Sequence, residues 1–229
     1  MNFIVTDNNQ SNIKRSICPV CQRPQKACLC KWVQPVANQI EFIIFQHPSE
    51  AKNAKGTARL ADLMLQRSLL WIGETLQEAY CDSVELAHSG SLLEYLQSAP
   101  HVFLLYPQRE GVTSPLSVSI REVASLPAGE ICIVVLDATW KKSYKQLLLN
   151  PFLQALPRVE LEDFDPSRYK IRKQKNDASL STLEAIYECL CVLGEAEESR
   201  DFLLQGFDAM QQQWLEFVPK GKSCHRNPD

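Results

Sequence analysis

Apolar residues follow two rhythms along this chain. Short apolar runs at residues 40–45, interrupted only by Glu41, 102–106 and 131–136 have the length and the Val, Ile and Phe content of strands buried on both faces. Residues 84–87 and 158–161 repeat the pattern with fewer apolar positions. Between the runs the spacing changes to three and four. Leu60, Leu63 and Met64 share one face after Thr57. Leu183, Ile186, Tyr187, Leu190 and Leu193 form a second stripe, and Leu203, Phe207, Met210, Trp214 and Phe217 a third. Such stripes are the core-facing sides of helices. Ser181 stands three residues before Glu184, the spacing of a capping box in which hydroxyl and carboxylate each satisfy a free backbone N–H, so a helix is predicted to open there. Strands alternating with helices predict an α/β fold, a mainly parallel sheet with flanking helices.

The chain has 229 residues, enough for one substantial core and a small appendage. Its 45% hydrophobic and 22% charged shares exclude a disordered or collagen-like chain. No run approaches the roughly 18 apolar residues that a membrane span needs. The start, polar after five residues, lacks the order of a secretory signal, so no membrane partner and a cytoplasmic address are expected. A break near residues 34–38 divides an N-terminal module (1–36) from a main domain (37–219), followed by a loose tail (220–229).

A net charge of −3 gives no general argument for nucleic-acid binding, but charge is uneven. Residues 1–35 carry Lys14, Arg15, Arg23, Lys26 and Lys31 against Asp7. Residues 165–176 carry Arg168, Lys170, Arg172, Lys173 and Lys175 against Asp165. Each segment is either an ordinary solvated surface or a contact for phosphates, and its position relative to a site decides which.

Four of the nine cysteines fall within CPVCQRPQKACLC, as Cys18, Cys21, Cys28 and Cys30. A Cys-x-x-Cys knuckle lets two thiolates converge on one ion, and a nearby second pair completes a tetrahedral site suited to Zn²⁺. The second pair is Cys-x-Cys, a departure from the commonest zinc-ribbon spacing. An odd cysteine count without a secretory signal argues against disulfides. Four thiolates also suit an iron–sulfur cluster, which stays open beside zinc. Cys81, Cys132, Cys189, Cys191 and Cys224 read as small core residues, since none has a histidine or turn motif to activate it.

There is no dinucleotide-binding glycine fingerprint, Walker loop, nucleophile elbow or His-Glu-x-x-His motif. Polar residues gather instead where predicted strands end, the place at which open α/β sheets bind ligands. The run 131–136 ends in Asp137, Thr139 and Trp140, followed by Lys141 and Lys142. The run 40–45 leads to His47, Pro48 and Glu50, and the run 102–106 ends in Tyr106 and Pro107. An acid at the end of the most apolar strand, beside an aromatic and cations, is placed for proton abstraction. His47 reads instead as a hydrogen-bonded structural histidine.

Five ordered motifs, CPVCQRPQKACLC, HPSEAKNAKGTARL, LLYPQREG, LDATWKKSYKQLL and YKIRKQKNDASLSTLEA, resemble the bacterial tRNA-uridine aminocarboxypropyltransferases of the DTW-domain family over nearly the whole chain. Ala138 stands where that family often has glycine. The resemblance implies transfer of the 3-amino-3-carboxypropyl group of S-adenosylmethionine to N3 of a uridine in the variable loop of tRNA, releasing methylthioadenosine. It also implies a SPOUT-like knotted fold and structural zinc. Asp137 is then the expected base, and Thr57, Arg59, Tyr106, Pro107, Asp137, Thr139, Trp140, Arg172, Thr182 and Glu184 the expected donor pocket. Lys141, Lys142, Lys170 and Lys173 are expected to face tRNA phosphates. Two other readings stay open: an RNA methyltransferase using the same donor, and a non-catalytic, zinc-stabilised RNA-binding factor. The motifs specify no oligomeric state.

Overall fold

A computed structural model describes residues 16–83, 90–107, 117–161, 164, 166–171 and 180–217. At its centre lie seven strands: β1 (Glu41–Gln46), β2 (Ser68–Ile72), β3 (Tyr80–Cys81), β4 (His101–Leu105), β5 (Ser117–Ser119), β6 (Ile131–Asp137) and β7 (Arg158–Glu160). Their order is β3-β2-β1-β6-β4-β7-β5, and every neighbouring pair is parallel except β2 with β3. The three apolar runs become β1, β6 and β4, three adjacent strands at the middle of the sheet. Strands covered on both faces are apolar on consecutive positions rather than alternate ones.

The run 158–161 forms β7, and the run 84–87 lies outside the described residues. The fully buried β2 is not singled out by the pattern. Its SLLWI follows the first helical stripe without a glycine or proline to mark the change, so the period shifts unannounced.

Helices cover both faces. On one lie α1 (Ala58–Met64), α3 (Ile120–Val123), α6 (Thr182–Val192) and α7 (Glu197–Phe217); on the other lie α2 (Leu92–Ser98), α4 (Trp140–Leu149) and α5 (Pro151–Ala155). Strand alternation sends Phe42 and Ile44 into the first core and Ile43 and Phe45 into the second. The three predicted stripes are α1, α6 and α7, although Phe217 is exposed, so the last stripe ends at Trp214. Ser181 and Glu184 form the predicted capping box. Gly206 lets α7 come close to α1, since a Cβ there would lie 2.8 Å from the Met64 sulfur.

The cysteine segment is not set apart from this core. Cys18, Cys21 and the fully buried Leu29 pack into the cluster that holds α1, α6 and α7. Burying a leucine this completely contributes about 2 kcal/mol, which fastens the segment to the sheet's helical cover. No helix among the described residues is long and apolar enough to cross a membrane.

Candidate active site and metal centre

β1 and β6 end side by side, with Gln46 opposite Asp137 in parallel register. Both side chains are buried, and the Gln46 Nε2 donates to Asp137 Oδ2 at 2.8 Å. The Thr182 hydroxyl, from the first residue of α6, donates to Asp137 Oδ1 at 2.5 Å. Two fixed donors hold this carboxylate in one orientation. The sequence links neither Gln46 nor Thr182 to Asp137, since 91 and 45 residues separate them. A hollow of about 250 Å³ bordered by Glu41, Arg67 and Glu130 lies at the opposite, N-terminal edge of the sheet and shares none of these residues.

The loop after β1 runs through three successive tight turns, closed by backbone bonds from Glu50 to His47, Asn53 to Glu50 and Gly56 to Asn53. The His47 Nδ1 lies 2.9 Å from the Ser49 hydroxyl and accepts from the Ser49 N–H at 3.1 Å, which leaves the ring proton on Nε2, 3.0 Å from Glu74. The Lys145 ammonium holds the Glu74 carboxyl below its ordinary range, with a smaller contribution from His47. His47 therefore serves as a structural link at this edge. At the loop's far end the buried Thr57 accepts the backbone N–H of Leu183 at 3.3 Å, so it caps the start of α6.

Ala138 and the exposed Thr139 lead from β6 into α4, where Thr139 is the N-cap residue but makes no side-chain cap bond. Trp140 opens the helix. Its ring meets that of the buried Tyr106 edge-on, with centroids 6.3 Å apart, and Pro107 follows, half-buried. Lys141 is exposed. Lys142 donates to the Ser49 hydroxyl and lies 3.7 Å from Glu50, which ties α4 to the loop after β1.

The remaining expected residues sit differently. Arg59 is not beside Asp137: it donates to the backbone and the carboxylate of Asp82 and lies 3.6 Å from Asp62. The buried Glu184 accepts from the Ser181 and Arg168 N–H groups and twice from the Ser167 hydroxyl, at 2.6–2.9 Å, so its carboxylate clamps the segment before α6. Lys170 is exposed, its N–H donating to Gln211 of α7 at 2.6 Å. Arg172 and Lys173 lie outside the described residues. The structure thus joins Asp137, Thr182 and Trp140 at one edge, with Thr57 and Glu184 in the walls behind, and adds Gln46.

Cys18, Cys21, Cys28 and Cys30 offer sulfurs that all lie within 4.8 Å of one another, with 3.6 Å between Cys18 and Cys30 and 3.7 Å between Cys21 and Cys28. Thiolates about 2.3 Å from a tetrahedral ion stand roughly 3.8 Å apart, so the four cysteines fit a metal ion. Gln22, in the left-handed region at φ 56°, lets the knuckle close with its N–H on the Cys18 carbonyl. The N–H groups of Cys21 and Val20 hold the Cys18 thiol down to about 6, the state a metal requires. From the same turn the Arg23 guanidinium donates to the carbonyls of Ala54 and Gly56 at 2.6 and 2.8 Å. The metal segment is thereby tied to the loop that carries Thr57.

The family model described as the DTW domain matches residues 15–215. A Drosophila melanogaster protein named tRNA-uridine aminocarboxypropyltransferase 2 is 30% identical over 196 residues, covering 84% of this chain and 72% of its own length. A Mus musculus protein of the same name is 29% identical over 206 residues, and this chain spans 63% of it. The Arabidopsis thaliana protein named tRNA-uridine aminocarboxypropyltransferase A is 24% identical over 212 residues, 75% of its length. No solved structure matches the chain.

Proposed function

The chain belongs to the DTW domain family, and from that membership we propose that it transfers the 3-amino-3-carboxypropyl group of S-adenosylmethionine to N3 of a uridine in the variable loop of tRNA. The observation that carries this reading is the meeting of Asp137 and Thr182, from two separated motifs, with Gln46 of β1 at the C-terminal edge of the two central strands. In an open α/β sheet this edge is where ligands bind.

S-adenosylmethionine supplies an electrophilic carbon next to its sulfonium. The uridine N3 forms a bond to that carbon, the carbon–sulfur bond breaks with its electron pair passing to sulfur, and the N3 proton goes to a base. The product thioether is methylthioadenosine. Asp137 is the base in this proposal, with Gln46 and Thr182 aiming its oxygens. Tyr106, Pro107, Thr139 and Trp140 border the donor, and Arg172 completes the expected set. Thr57 and Glu184 act through the wall by fixing the start of α6. Arg59, spent on Asp62 and Asp82, supports α1 from behind.

Lys141 and Lys170, both exposed, meet tRNA phosphates in this reading, together with Lys142 and Lys173. Zinc is the metal proposed for the cysteines, and the knotted SPOUT-like path is proposed for the chain before α6. The support for that path is residues 166–171, where the buried Tyr169 packs its ring 5.1 Å from Phe207 and its hydroxyl donates to Lys55 of the loop after β1.

Incubation of the purified chain with S-adenosylmethionine and unmodified tRNA, followed by mass spectrometry of the digested nucleosides, tests the function. An aminocarboxypropyl adduct on uridine is expected. A methyl adduct would establish the methyltransferase reading instead, and tight tRNA binding without any adduct the non-catalytic one.

A further inference from the structure

Arg158 of β7 is 1% exposed, and its Nε, Nη1 and Nη2 have no hydrogen-bond partner among the described residues. A guanidinium carries five N–H donors and a permanent charge, so a buried one without an acceptor is poised for a ligand that brings one. The Tyr106 hydroxyl beside it is buried and unpartnered too, and the guanidinium carbon lies 5.7 Å from the Tyr106 ring centroid. Tyr106 in turn meets Trp140 of the DATW turn. Arg158 stands opposite Leu104 of β4, two residues before Tyr106, on the sheet face against which Trp140 packs.

Three other arginines near the described loops and helices have partners for their guanidinium groups. Arg59 is bound to Asp82, Arg23 to two carbonyls, and Arg168 lies 3.6 Å from Asp208. The structure assigns to Arg158 the carboxylate of the donor's aminocarboxypropyl group, received by the guanidinium fork with the Tyr106 hydroxyl as a further donor. This rests on the proposed transfer reaction and extends it to how the transferred group is chosen. An enzyme that holds the amino-acid end of the donor fixes the chain being transferred and presents its carbon, rather than the methyl, to the nucleophile. Since both groups are shut off from water, the carboxylate enters only as the side chains over them give way.

Calorimetric titration of the full chain with S-adenosylmethionine and, separately, with methylthioadenosine tests the assignment, because the second ligand lacks the carboxylate. In Arg158→Met and in Arg158→Lys, which keeps the stem and the charge should the first fail to fold, the dissociation constant for S-adenosylmethionine is expected to rise about 10- to 100-fold. Methylthioadenosine affinity should stay within about twofold of the parent chain. Equal losses for both ligands, or no loss for either, would overturn the assignment and leave the transfer reaction standing. Failure of the unaltered chain to bind S-adenosylmethionine would overturn that reaction and this assignment with it.

Discussion

Asp137 owes its candidacy to three residues rather than one. Its carboxylate is aimed by Gln46 and Thr182, and a base that must accept a proton cannot be replaced by an amide. Asp137→Asn, nearly the same shape, is expected to slow the transfer by about 10² to 10⁴ in single-turnover assays while binding of S-adenosylmethionine persists. An unchanged rate would reduce Asp137 to a strut between α6 and the sheet. Asp62 makes the opposite case of a carboxylate held against its preference. Burial pushes it up to about 6, while Ser83, Arg59 and Ser68 pull the other way. The folded chain therefore binds this proton more tightly than the unfolded chain, and stability falls as pH rises from about 4 to about 6. The slope amounts to roughly 3 kcal/mol at most, and Asp62→Asn should flatten it in denaturation midpoints measured across that range.

Among the elements, the loop after β1 carries the most dependence on distant partners. Arg23 and Tyr169 bond its backbone carbonyls, and its own Lys55 ammonium donates to the Ile171 carbonyl, so the loop is tied to the cysteine segment and to the stretch before α6. Arg23 is the largest single tie, a charged donor to two carbonyls. Arg23→Ala is expected to cost about 2 kcal/mol and to raise amide exchange in residues 53–57, read by hydrogen-exchange mass spectrometry, while the sheet core stays protected. Equal exchange in the two proteins would show that the turns hold themselves. The start of α6 has a second lock in Glu184, whose carboxylate joins the helix to the Ser167 hydroxyl and the Arg168 N–H.

For the whole molecule the metal centre and the sheet form one packed body. Cys18 and Cys21 belong to the four-cysteine cluster that fits a metal ion and also sit in the core shared by α1, α6 and α7. Loss of the ion would leave four thiols crowded within 4.8 Å and unfasten Leu29 and Arg23 together. Elemental analysis is expected to find one zinc per chain. Cys28→Ser or a strong chelator should lower the thermal midpoint by several degrees and weaken donor binding, since Arg23 anchors the loop that leads to Thr57. An iron signal would name a different metal, and a metal-free protein of unchanged stability would remove the site from the fold's support.

Particular residues mark how far the sequence alone reaches. The central strands, the three helical stripes, the capping box at Ser181 and the cysteine cluster were all legible, because each depends on neighbours within one element or one turn. The buried β2 was not, since nothing between it and α1 signals the change of period. Arg59 and Glu184 stood in the right motifs, but their partners Asp82, Ser167 and Arg168 come from other segments, so only packing decides what they do. Gln46 lies 91 residues from Asp137, and Arg158 looked like one more strand position. Local pattern determined which elements form and where polar groups leave the sheet. The tertiary structure decided which of those groups meet, because the pairing of β1 with β6 and the return of α6 over the sheet bring together atoms that no local spacing relates.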